Sequence, residues 1–165
     1  MNKKFWQYKT FSEMSSAEWE ALCDGCGRCC LHKLEDVDTG EIAYTSVACR
    51  FLEISKCRCT AYEHRKSARK ECLCLTPENI CEMTWLPKTC AYRMLFERRD
   101  LASWHPLVTG DPESVHTAGI SVRNKAIPED WINPDDLETY VIEQDLAESP
   151  GNLRKNQCNN PCLKK

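Results

Sequence analysis

Cys23-x2-Cys26-x2-Cys29-Cys30 places four thiols within eight residues, and no other feature of the chain narrows its chemistry as far. Packing alone does not account for it. Cysteine does serve as a small buried hydrophobe, but core use scatters it at helix or strand periods. Ligands this close in sequence meet at little extra closure entropy. Gly25 and Gly27 fall between the thiols, where their backbone freedom lets the chain curl and turn N–H groups toward sulfur. Cys49, Cys57, Cys59 and Cys72 follow and bring the set to eight. One tetrahedral zinc or one cubane takes four ligands, so eight thiols suit two centres and would leave half unexplained in one. Adjacent side chains diverge in most backbone conformations. Cys29 and Cys30 are therefore expected to serve different centres, or one packs behind the other.

The compartment decides between ligands and disulfides. Thirteen cysteines in 165 residues, about 8%, reach the edge of the range typical of secreted disulfide scaffolds, but an odd total does not pair completely. Lys3 and Lys4 are followed by Phe5-Trp6-Gln7-Tyr8-Lys9-Thr10, too polar for a secretory signal. No run approaches the ~20 apolar residues of a membrane span. The expected location is cytoplasmic, where thiols stay reduced. A net charge of −3 gives no global pull toward nucleic acid or anionic membrane. Metal ions or clusters are the expected partners. A protein partner is compatible with this reading, a membrane is not, and nucleic acid is disfavoured.

Hydrophobic residues make up 42% of the chain, enough for a modest core. The expected fold is a small α+β, irregular, metal-stabilised cysteine-rich domain with short helices and a small sheet. Ser15-Ser16-Ala17-Glu18 has capping-box form and predicts a short helix running into Cys23. Glu41 to Val47 predicts a strand, and Cys57-Arg58-Cys59 reads as extended, with both thiols on one face. Thr76-Pro77 predicts a helix start. Cys90 to Arg99 carries a helical apolar set in Tyr92, Leu95 and Phe96. Ile120-Ser121-Val122-Arg123 suggests a strand, and Pro134-Asp135-Asp136 a helix through Leu146. The expected division is a metal-binding domain over 1–127, a helical segment over 128–148 and a tail over 149–165, broken off by Ser149-Pro150-Gly151-Asn152.

The x2, x2 spacing matches the first three positions of a bacterial ferredoxin run, but the fourth position, Cys-Pro three residues on, is missing. Structural zinc sites more often come as two separated pairs. An iron–sulfur cluster and zinc both remain open, with His32 and His64 read as surface or outer-sphere residues.

Phe5-Trp6-Gln7, Cys23-Asp24-Gly25-Cys26-Gly27-Arg28-Cys29-Cys30-Leu31-His32, Val47-Ala48-Cys49-Arg50 and Cys57-Arg58-Cys59 resemble the bacterial YcgN family. So do Trp85-Leu86-Pro87-Lys88-Thr89-Cys90-Ala91-Tyr92-Arg93, Trp104-His105-Pro106-Leu107 and Ile120-Ser121-Val122-Arg123. That family falls in the YkgJ-type CxxCxxCC group, described as zinc- or iron-chelating. The resemblance implies ligands at Cys23, Cys26, Cys29, Cys30, Cys49, Cys57, Cys59 and Cys72, with Cys90 in a helix motif. It implies no reaction or substrate, and no role for Cys74, Cys81, Cys158 or Cys162.

The basic run His64-Arg65-Lys66-Ser67-Ala68-Arg69-Lys70 reads as a solvated loop. Trp104-His105-Pro106 and His116 lack the partnered carboxylate or nucleophile that acid–base catalysis requires. Walker, Rossmann and nucleophile-elbow motifs do not occur. The leading expectation is a metal-binding protein. The alternatives are a redox or metal-dependent enzyme using the same centre, and a zinc-stabilised scaffold that binds nucleic acid through the basic run.

Overall fold

The computed structural model describes residues 4–142. Short elements are linked by long turns, and two small apolar clusters organise them. Helix α1 (Ser16–Ala21) begins as its sequence dictates: Ser15 accepts the Glu18 N–H, and Glu18 accepts the Ser15 N–H at 2.8 Å. Trp19 turns inward from it, its ring 4.7 Å from that of Tyr92. Tyr92 lies on α3 (Ala91–Phe96), and its hydroxyl donates to the Trp19 carbonyl. With Trp6, Leu22, Ile80, Leu86 and Leu101 these elements form the first cluster.

The second cluster lies on a three-stranded sheet. Strand β1 (Leu31–Glu35) pairs antiparallel with β2 (Ile42–Ala48), with a register irregularity between Leu31 and Lys33. Strands β3 (Leu52–Glu53) and β4 (Arg58–Cys59) form a separate hairpin. The two-residue strand β5 (Ile127–Pro128) runs parallel to β2. Leu31, Tyr44, Ala48, Leu52, Cys57 and Val122 pack together on this side. Trp85 touches both clusters. Leu22 belongs to one cluster and Leu31 to the other, so the cysteine loop between them spans the seam.

Short helices and a small mixed sheet are what the sequence led us to expect, but several local readings change. Thr76 to Asn79 closes as a reciprocal side-chain turn followed by a single 3-10 turn, Ile80–Glu82. Ile120 to Arg123 is not a strand: Val122 donates its N–H to the Cys26 carbonyl at 2.9 Å, which ties this segment to the cysteine loop. Pro134–Tyr140 winds as a 3-10 helix capped by Asn133. Its predicted extension through Leu146, the tail, Cys158 and Cys162 lie outside the described residues. Helix α2 (Arg65–Ala68) occupies the basic run. Helices α4 (Pro106–Thr109) and α5 (Ser114–Thr117) complete the fold. No helix among the described residues is long and apolar enough to cross a membrane.

Candidate metal centre

Gly25 and Gly27 both sit at φ +75°, so the loop coils back after each. At Gly27 the coil is also pressed close, because a Cβ there would stand 2.8 Å from Val122 Cγ2. Arg28–Cys30 then forms a 3-10 turn that feeds β1. In this turn the vicinal thiols face one another instead of diverging. The Cys30 thiol beside it holds Cys29 down at about 7, against the cost of its burial and helped by the Lys33 ammonium. Cys30 is pushed up in turn by the Cys29 thiolate. Of this pair, Cys29 is the thiol whose surroundings favour ionisation.

Cys29 stands at the junction of two groups. On one side, Cys23, Cys26 and Cys90 all feel its charge and that of Asp24. Burial first, then these charges, push Cys23 up to about 12, although Cys23 keeps an edge open to solvent. Burial also pushes Cys26 up and Cys90 to about 12. On the other side, Cys30 feels Cys49, and Cys72 feels Cys59 and Cys49 after the effect of its own burial. All eleven described cysteines are free thiols.

Cys57 is placed apart. It sits at φ +52°, a left-handed conformation in the β3–β4 turn, so the extended reading of Cys57-Arg58-Cys59 holds only for Arg58 and Cys59. Its thiol lies 3.5 Å from the Ile54 carbonyl, within the sheet-side cluster. Burial raises it, and the other groups acting on it are Ser121, Arg123 and Val122, not a second thiol.

Three cations face the thiols. Lys33 Nζ donates to the carbonyls of Cys29 at 2.8 Å and Leu31 at 2.7 Å and lies over the rings of Tyr44 and Trp85. Burial lowers it, while Cys29, Cys30 and Cys49 pull it back up. Arg69 Nη1 lies 3.4 Å from Cys49 Sγ, and Arg65 Nη2 lies 3.6 Å from Cys74 Sγ. The basic run is thus partly turned inward, which its composition alone did not signal. Glu129 fixes this side by accepting from Arg50, Arg69 and His32. His32 is therefore committed to a carboxylate. His105 is buried, caps α4 by accepting the Leu107 N–H, and meets the Leu22 carbonyl through its other nitrogen.

The donor chemistry suits zinc or iron, which bind thiolates readily. Lys33, Arg65 and Arg69 would balance the negative charge of a thiolate-bound ion. Among the described residues, no three Cys, His, Asp or Glu side chains already stand around one point at ligand distance. Loading would require thiols to rotate about their side-chain bonds.

Residues 22–91 match the family model described as "Putative zinc- or iron-chelating domain". A UPF0260 protein of Sinorhizobium medicae is 56% identical over 84% of this chain and 89% of its own length. The chain belongs to the UPF0260 family. A family member from Cellvibrio japonicus is 54% identical over 84% of this chain and 94% of its own. Another, from Rhizobium johnstonii, is 54% identical over 87% of this chain and 90% of its own. No solved structure matches the chain. The matched span, 22–91, begins one residue before Cys23 and ends one past Cys90, and so covers both thiol groups.

Proposed function

We propose that this chain is a cytoplasmic metal-binding protein that holds zinc or an iron–sulfur centre through the thiolates of its cysteine constellation. The observation that carries this reading is the coiled loop that gathers Cys23, Cys26, Cys29 and Cys30 through left-handed turns at Gly25 and Gly27, with Lys33 Nζ bonded to the Cys29 carbonyl. Cys23, Cys26 and Cys29 would hold metal at the cluster seam. Cys30, Cys49, Cys59 and Cys72 would hold it on the arginine side. Cys57 is better explained as packing. When bound, the metal would supply cross-links between elements too short to be stable alone. Structural thiolate sites contribute ~10–16 kcal/mol to such folds.

Arg69 donates to Cys49 sulfur and holds it in place. Lys33 helps to hold Cys29 down and fastens its carbonyl. The open edge of Cys23 offers the metal its way in.

Anaerobic purification with metal analysis per chain tests the reading. A brown protein with iron and sulfide supports a cluster, and a colourless one containing zinc supports zinc. Protein that takes up neither under reducing conditions would refute it.

A further inference from the structure

Asp24 is buried, with 8% of its surface exposed. Its Oδ1 accepts the Cys26 N–H at 2.9 Å, while Oδ2 is shielded from solvent and has no hydrogen-bond partner. It makes no ion pair among the described residues. A buried carboxylate oxygen without a partner is costly, and native proteins rarely leave one so. Its charge reaches the thiols of Cys23, Cys26, Cys29 and Cys90 and, more weakly, the imidazoles of His105 and His116, neither of which bonds to it. The thiols become anionic when they act as ligands, which would make the carboxylate's position worse unless a cation sits among them.

Cys90 comes from a different part of the chain, sixty residues beyond the loop at the start of α3. Its side chain packs against the apolar cluster that holds Leu22, the residue before Cys23, and burial raises its thiol against the opposing pull of the Arg93 and Tyr92 backbone. It is exposed to the charges of Cys29 and Asp24, as Cys23 is.

We propose that Asp24, through Oδ2, and Cys90 are ligands of a single divalent transition-metal ion, whose four-ligand shell is completed by two of the thiolates of Cys23, Cys26 and Cys29. This rests on the thiolate reading above and narrows it. A carboxylate among thiolates suits a mononuclear zinc or ferrous ion, whereas a cubane takes four thiolates. The ion joins α1, the cysteine loop and α3, and it satisfies the orphaned oxygen. Binding displaces the thiol protons into solvent.

The test uses the full chain, reduced, with cobalt(II) as a spectroscopic probe and zinc for competition and X-ray absorption. In wild type, fully zinc-loaded protein should show an oxygen neighbour at about 2.0 Å besides sulfur at about 2.3 Å. Asp24→Asn should lose that oxygen and bind zinc at least ten-fold more weakly against a chelator. Cys90→Ser should lower the thiolate-to-cobalt charge-transfer intensity. A sulfur-only shell in wild type overturns the proposal without depending on any variant's folding. So do an unchanged affinity in Asp24→Asn and an unchanged spectrum in Cys90→Ser, while metal uptake by wild type keeps the broader reading intact. Wild type that binds neither ion overturns both.

Discussion

Arg69 Nη1 lies 3.4 Å from Cys49 Sγ and 3.0 Å from Glu129 Oε2, so one guanidinium edge joins the thiol constellation to a carboxylate 60 residues away. Arg50 Nε and His32 Nε2 meet the same carboxylate. This junction fastens β1, the end of β2 and the segment after β5 to each other.

Arg69→Gln should destabilise the protein by about 1–2 kcal/mol, since charge-assisted bonds are worth somewhat more than neutral ones and this side chain is partly exposed. Arg69→Lys should recover only part of the loss, because an ammonium cannot present two coplanar donors. Urea unfolding of both variants checks this, and lysine matching arginine would contradict it.

Burial alone would raise Glu129, but hydrogen bonds from Arg50, His32 and Arg69 outweigh it and hold the carboxyl at about 2. An unfolded glutamate titrates near ~4.3. The folded value is the lower one, so this contribution is fully present above the unfolded pKa and fades as pH falls toward about 2. Its size is on the order of 2–3 kcal/mol, an upper figure because Arg50 is largely exposed. Melting curves from pH 6 down to pH 2 should show Glu129→Gln with a shallower acid loss than wild type. Parallel acid profiles would remove the carboxylate from the account.

Gly25 and Gly27 share the same φ but not the same surroundings. A Cβ at Gly25 meets nothing within 4 Å, whereas one at Gly27 would stand 2.8 Å from Val122 Cγ2. Gly25→Ala should cost about 1–2 kcal/mol from the left-handed backbone alone. Gly27→Ala adds overpacking and should cost about 2–4 kcal/mol. Equal costs from chemical denaturation would mean that the Val122 contact yields freely.

Cys57→Ala and Cys26→Ser should separate packing from ligation. The first should lower stability by about 1–2 kcal/mol through lost core contacts and leave metal content unchanged. The second should cut metal content, because a hydroxyl is a poor replacement for thiolate. Elemental analysis of the two purified proteins decides, and metal loss in Cys57→Ala would return that residue to the ligand set.

Local rules were readable where the physics is local. The Ser15–Glu18 reciprocal bonds and β2 followed from capping chemistry and from β-branched and aromatic content. Cys90 at the head of α3 followed from apolar spacing. What escaped depends on partners distant in sequence. Nothing near Val122 signals that its N–H goes to Cys26, a bond that replaces strand pairing there. The inward aim of Arg65 and Arg69 depends on α2 and on sulfurs elsewhere. Asp24 lies inside the most conspicuous motif, yet only burial reveals its unpartnered oxygen. The left-handed Cys57 comes from a turn whose register the sequence does not specify.

The cysteine loop begins at Leu22 in one apolar cluster and ends at Leu31 in the other. Each cluster is small, and Trp85 is among the few side chains that touch both. The loop therefore acts as a pin that fastens one apolar cluster to the other. Amide exchange should register this as a change in cooperativity. With the pin seated, protons on Tyr44 and Tyr92 should exchange through one shared opening. With it withdrawn, the two halves should open independently, each at its own rate.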